Sequence, residues 1–305
     1  MLPTVHTLDT FGLLAFNGPD ARAFLQGQLS CDVAGLAPDA VTPGSYSTPK
    51  GRMLATLLLW PDADGFRLLL PRALCEPVRK RLSMFILRSK VKAEDLTAAQ
   101  RLYGLLAGDP DALCAPLGIA APAQAYRCAT AEGYTAVRLD GDRVLLLAPA
   151  EPPPGGALSA AVNGDAAWAL ADIRGGLPWI LPETQEQFVP QTANLDLIGG
   201  VSFSKGCYPG QEIVARMHYL GRLKERMLRA HVDAAPPAPG TRLYSAAFGA
   251  QAAGTVVNAA PAPEGGSELL AVAQLAAVSA GDLVLAQPSG ARLQPLPLPY
   301  AVPAA

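Results

Sequence analysis

The apolar stretches of this chain are all short. The longest, residues 54–60, has the length of one β-strand and stops at Pro61. A bilayer-crossing helix needs ~18 consecutive apolar residues, so the pattern holds no candidate for one. It specifies instead a series of brief elements, each ended by a turn. The clearest turn is Pro61-Asp62-Ala63-Asp64-Gly65, which separates apolar runs at 53–60 and 66–70 and predicts a β-hairpin.

The same punctuation orders the rest. Residues 10–16 alternate as a strand and turn at Asn17-Gly18-Pro19, after which Asp20 N-caps a short helix with Ala23, Phe24 and Leu25 on its buried side. Tyr46-Ser47-Thr48-Pro49-Lys50-Gly51-Arg52 is a second turn between strand-like runs. Helical spacing over 72–89 carries Arg79, Lys80, Arg81, Arg88, Lys90 and Lys92, read as a solvated basic face ahead of an RNA-binding one. Strands follow at 103–107, 135–139 and 144–147, then a proline-rich connector at 151–156 leading into a helix. Pro236-Pro237-Ala238-Pro239-Gly240 marks a boundary. Short strands at 241–244, 255–258, 269–275 and 283–285 then suggest a small barrel or sandwich. Strands mixed with helices, without strict βαβ units, make the fold class α+β. The expected division is 1–230, a module of two α+β lobes, and 231–305, the small β domain.

Composition narrows the function. Five cysteines are scattered without a Cys-x-x-Cys pair, and three histidines are equally dispersed. The spacing predicts neither a disulfide framework, nor a zinc site, nor an iron–sulfur cluster held by this chain alone. A net charge of −2 argues against direct nucleic-acid binding. The opening Met1-Leu2-Pro3-Thr4-Val5-His6 lacks a basic, apolar leader pattern, so a cytosolic location is expected.

One segment concentrates chemistry: Lys205-Gly206-Cys207-Tyr208-Pro209-Gly210-Gln211-Glu212-Ile213-Val214-Ala215-Arg216. A cation and a helix start both favour thiolate over thiol, so Lys205 and Cys207 are the candidate reactive pair. Gly206 and Gly210 allow close approach or a sharp turn. Glu212 and Arg216 stand four apart on one helix face, in the favourable order for pairing. With Gln211 they offer donors and acceptors for a flat polar heterocycle. Upstream, Gln191 and Asn194 add two more amides.

These residues resemble a known family. Lys205, Gly206, Cys207, Tyr208, Gly210, Gln211, Glu212 and Arg216 match the signature of the bacterial folate-binding YgfZ family, within the glycine-cleavage T-protein (aminomethyltransferase) superfamily. Gln187-Phe188-Val189-Pro190-Gln191 with Asn194-Leu195, Phe24-Leu25-Gln26-Gly27-Gln28-Leu29, Lys50-Gly51-Arg52-Met53 and Leu296-Pro297-Leu298-Pro299-Tyr300 extend the likeness over nearly the whole chain. The resemblance implies a three-lobed ring with a central folate channel, its third lobe a small C-terminal β-barrel. It implies a tetrahydrofolate-like ligand held by Trp168, Phe11, Gln191, Asn194, Tyr208, Gln211, Glu212, Arg216 and Arg52, with no metal. An indole face suits a pterin. It further implies an accessory role in iron–sulfur cluster assembly or repair and, through iron–sulfur enzymes as partners, in tRNA modification.

Two departures bear on catalysis. The run Gly51-Arg52-Met53-Leu54-Ala55-Thr56 lacks the aspartate that aminomethyltransferases place there, and Arg174 replaces a glutamate suited to the pterin's amino edge. Arginine cannot accept a hydrogen bond. A placed acid or base typically contributes ~10²–10⁴-fold. The sequence therefore leans away from an enzyme. The alternative is a folate-dependent one-carbon (aminomethyl) transferase or demethylase in which Asp32 or Glu212 substitutes for the missing acid.

Overall fold

The structure is a computed structural model describing residues 5–106, 108–151, 158, 161–219, 221 and 223–303. The hairpin expected at 61–65 is present. Strands Met53–Asp62 and Gly65–Pro71 pair antiparallel, with Asp62 opposite Gly65 and Trp60 opposite Arg67. Arg67 closes the turn with an ion pair to Asp62. Gly65–Pro71 pairs in turn with Phe11–Asn17, from Phe11 opposite Pro71 to Asn17 opposite Gly65, and Lys92–Asp95 adds the next strand.

The chain divides into two compact units: Met1–Gln28, Asp32–Pro43 and Leu57–Trp168 in the first, and Leu29–Cys31, Gly44–Thr56 and Ala169–Ala305 in the second. Strand Met53–Asp62 thus passes from one to the other along its own length. Six residues of strand Phe11–Asn17 are buried; its alternate residues face opposite sides of the sheet, and helix Arg72–Ser83, whose buried Leu74, Val78 and Leu82 recur one turn apart, packs on it. Each such side chain contributes roughly 1.5–3 kcal/mol by leaving water. The spacing predicts this helix to residue 89, but it ends at Ser83. The next residue of the stripe, Ile86, is only half-buried, and Met84, Phe85 and Leu87 are exposed. Without burial to support it, a further turn of helix is not stable.

A second sheet in the first unit has the order Val162–Asn163, Val5–Thr7, Gln100–Leu105, Val144–Pro149, Tyr134–Arg138, Arg127–Ala131. Its core includes Val5, Tyr103, Leu105, Leu113, Tyr134 and Leu146. The connector expected at 151–156 falls largely outside the described residues, and helix Asp165–Arg174 comes after it.

The second unit carries a six-stranded antiparallel sheet of order Val284–Leu285, Arg242–Tyr244, Gly254–Pro261, Ser267–Gln274, Glu225–Val232, Gln294–Leu296. It curls into a half-barrel whose first and last strands remain edges. Alternate residues Leu269, Ala271 and Ala273 share one core with Ala230, Val232 and Val256. Strand Glu225–Val232 pairs through its whole length with Ser267–Gln274, so this sheet includes residues on both sides of position 230.

Candidate functional site

Cys207 lies in an irregular stretch that leads from Val201 to Gly210, and it is exposed. The stretch is tied down from several sides within the second unit. Ser202 N donates to Ser30 O at 2.9 Å, and Ser30 Oγ donates to Gly200 O at 2.6 Å. Lys205 Nζ donates to the carbonyls of Leu29 and Cys31, each at 2.7 Å, and lies 5.1 Å from the centre of the Tyr208 ring. Its charge therefore anchors the loop. The expectation is that Lys205 and the helix start together favour the Cys207 thiolate; the ammonium also holds two carbonyls and a ring. Tyr208 is buried beneath, and burial pushes its phenol up to about 12.

Gly210 joins this loop to the Lys50-Gly51-Arg52 turn. Its φ is +84°, and a Cβ there would stand 2.5 Å from Gly51 Cα and 2.7 Å from Thr48 O. Gly51, at φ +71°, in turn faces Ile213, 3.1 Å from where its own Cβ would be. The two motifs touch backbone to backbone, and only glycine fits both positions. Gly206 differs: nothing lies within 4 Å of its added Cβ, and its φ is not in the left-handed range. The fold does not require glycine there, contrary to the paired reading of the two.

Helix Gln211–Tyr219 opens after Gly210, so Cys207 precedes it rather than forming its first turn. Gln211 Nε2 donates back to Lys205 O at 3.3 Å. Glu212 and Arg216 are exposed, and the described ion pairs do not include one between them. Beyond them Phe203 and His218 stack with ring centres 3.7 Å apart, beside exposed Tyr219.

The upstream amides are structural in this arrangement. Gln191 is buried, and its Nε2 donates to Val214 O at 2.6 Å, while its Oε1 is buried without a partner. Asn194 is fully buried at φ +60°, with Nδ2 on Met227 O at 2.9 Å. Both share Arg226, whose NH1 donates to Gln191 O at 2.9 Å. Arg226 also forms a two-point pair with Asp196, at 2.7 and 2.9 Å. Sequence reasoning missed this pair; its one trace was the density of polar residues around Asn194-Leu195-Asp196.

Arg174 has a protein partner. Its Nε and NH2 reach Glu268 Oε1 at 3.0 and 2.6 Å, and Arg229 holds the other oxygen at 2.9 and 2.7 Å. Burial pushes the Glu268 carboxyl up, but the bonds from Arg174 and Arg229 outweigh it and hold the group below its ordinary value. Arg52 is exposed, donates NH1 to Gln187 O at 2.6 Å and lines a cavity of about 310 Å³ with Glu225 and Arg242.

Trp168 and Phe11 belong to the first unit. The indole is 1% exposed, lies against Gly104 and carries the Arg143 guanidinium 4.9 Å from its ring centre. As placed, Trp168 is a packing residue with protein on its surface; stacking on a pterin requires it to be uncovered. Phe11 lines a separate cavity in that unit. Of the basic run, Arg79 and Lys80 both pair with Glu76, and Lys92 pairs with Glu94, as a solvated face does. Among the described residues no cluster of His, Cys, Asp or Glu is arranged to hold a metal, and no helix is long and apolar enough to cross a membrane.

No family model matches the sequence. It is 33% identical over 242 residues to the tRNA-modifying protein YgfZ of Vibrio vulnificus, covering 78% of this chain and 73% of that one. Against the protein of the same name from Sodalis glossinidius it is 31% identical over 311 residues, covering 98% and 93%. The chain belongs to the YgfZ family. Its fold is that of the glycine cleavage system aminomethyltransferase T of Bartonella henselae, with a TM-score of 0.77 at 15% identity over 96% of this chain and 84% of that one. The matched stretch of the Sodalis YgfZ covers nearly the whole chain, so the anchored thiol loop and the half-barrel belong to one YgfZ-type protein.

Proposed function

We propose that this YgfZ-family chain is a folate-binding accessory protein that sustains iron–sulfur enzymes, tRNA-modifying ones among them, through the thiol of Cys207. The observation that carries the reading is an exposed sulfur on a loop fixed by Lys205, Tyr208 and the Gly51–Gly210 contact. A loop built only for packing needs no sulfur at its exposed point, and the other four cysteines are all buried.

The residues accommodate a folate in part. Glu212, Gln211 and Arg216 supply a carboxylate, an amide and a guanidinium on exposed or half-exposed positions, the donor and acceptor set that a pterin with an acidic tail demands. Arg52 adds a second guanidinium. Gln191, Asn194 and Tyr208 hold the frame, and Arg174, bonded to Glu268, does not stand in for a pterin-reading carboxylate. Bound tetrahydrofolate supplies a carrier for a one-carbon unit.

The test is rescue of iron–sulfur enzyme activity in a strain lacking its own YgfZ. Cys207→Ala should fold normally and fail to rescue; full rescue refutes the role of the thiol. In parallel, tetrahydrofolate is titrated calorimetrically into wild type and Glu212→Gln. Heat that saturates in the first and weakens in the second supports the ligand assignment, and no binding to wild type refutes it.

A further inference from the structure

The first unit contains a cavity of about 390 Å³ that the thiol loop does not use. That size falls in the range of small-molecule sites, roughly 300–1,000 Å³. Its walls bring together charges of both signs from four separate places in the chain. Asp9 precedes strand Phe11–Asn17, Arg72 opens helix Arg72–Ser83, Arg101 sits in strand Gln100–Leu105, and Glu151 follows Val144–Pro149. None of the described ion pairs joins any two of these four. Opposite charges that face one cavity without neutralising one another are complementary to a ligand carrying both.

Gln100 also lines the cavity. Arg101 Nε is already used by Ala150 O at 2.9 Å, which fixes the guanidinium and leaves its outer nitrogens for an anion. Phe11 and Leu102 form an apolar wall beside these groups.

We propose that this cavity is a binding site for a small zwitterion of the α-amino acid class. The two guanidiniums take its carboxylate, Asp9 or Glu151 takes its ammonium, and the apolar wall takes its side chain. None of its lining residues belongs to the thiol loop, so the proposal stands whether or not that loop serves iron–sulfur enzymes.

The full chain is titrated by calorimetry with each common L-α-amino acid up to about 10 mM, a concentration that reveals even millimolar binding. For the tightest binder, the acid lacking the amine and the amine lacking the carboxylate are then compared. At least one amino acid should saturate, and each truncated analogue should bind at least about tenfold more weakly, since each leaves a charged hydrogen-bonding group unpaired. Arg101→Gln, at an exposed position, should weaken binding by about tenfold or more without lowering the melting temperature, whereas Arg88→Gln, elsewhere on the surface, should not. Saturation by no amino acid overturns the proposal. So does equal binding of the amine-free acid, which marks a plain anion site, or competitive displacement by tetrahydrofolate, which assigns the cavity to the folate.

Discussion

Alanine substitution at the two glycines flanking Cys207 should have opposite consequences, and the structure says by how much. At Gly210 the backbone has φ +84°, and an added Cβ meets Gly51 Cα at 2.5 Å, Gly51 N at 2.7 Å and Thr48 O at 2.7 Å. A non-glycine residue held in the left-handed region costs about 1–2 kcal/mol. The clashing atoms are all backbone, so neither side can swing away, and overpacking of that kind adds roughly 1–3 kcal/mol. Gly210→Ala should therefore lose about 2–5 kcal/mol of stability. Gly51→Ala, whose nearest contact is the Ile213 side chain at 3.1 Å, should lose less, about 1–2 kcal/mol. Gly206→Ala meets open space at an ordinary φ and should lose nothing, with a gain of up to ~1 kcal/mol from a stiffer unfolded chain. Equilibrium unfolding in urea, followed by tryptophan fluorescence, measures all three. The reasoning is refuted if Gly210→Ala stays within about 0.5 kcal/mol of wild type, the usual range for an uncrowded surface change. It is equally refuted if the order of Gly210 and Gly206 reverses.

Asp196→Ala strands the Arg226 guanidinium, whose side chain is 8% exposed, and should cost about 3–5 kcal/mol in the same unfolding assay. A loss below ~1 kcal/mol would place that pair among weak surface bridges. Because Glu268 has a carboxyl held below its ordinary 4.5, the unfolded chain binds more protons below that pH. Its contribution should be complete above pH 4.5 and disappear as pH falls through the folded-state value, and Glu268→Gln should flatten that acid limb of the stability profile. In native protein a thiol reagent at about pH 8 should modify one cysteine rapidly, since the thiolate is the reacting form. Cys207 is the exposed one of five, and burial pushes Cys75 up to about 12 and both Cys114 and Cys128 up to about 11. Cys207→Ser should remove the fast phase; its persistence would show that another thiol is accessible.

Legibility in the sequence followed distance along the chain. The 61–65 hairpin, four of the six strands of the C-terminal sheet and the start of the helix at Gln211 were readable because turn residues and apolar alternation act over a few positions, whereas Glu225–Val232 and Gln294–Leu296 were not named. The end of the helix at Ser83 was not, because it depended on which apolar residues found a core. Lys205 hid its carbonyl partners for the same reason. Its nearest neighbour in sequence is the thiol loop, but its ammonium goes to the carbonyls of Leu29 and Cys31, far back in the chain. Arg174 looked like a lost ligand contact until Glu268 stood beside it.

The amino-acid order alone determined that this protein is assembled from short strands and helices, that it carries the YgfZ cysteine signature, and that one of its turns demands glycine. Tertiary structure decided where each charge and each ring went: Lys205 to backbone carbonyls, Arg226 to Asp196, Trp168 to Gly104, and Cys207 to the surface. Local conformation is a property of neighbouring residues and survives in the sequence. Burial and ion pairing depend on which distant segments the fold brings into contact, and that is settled only when the whole chain has packed.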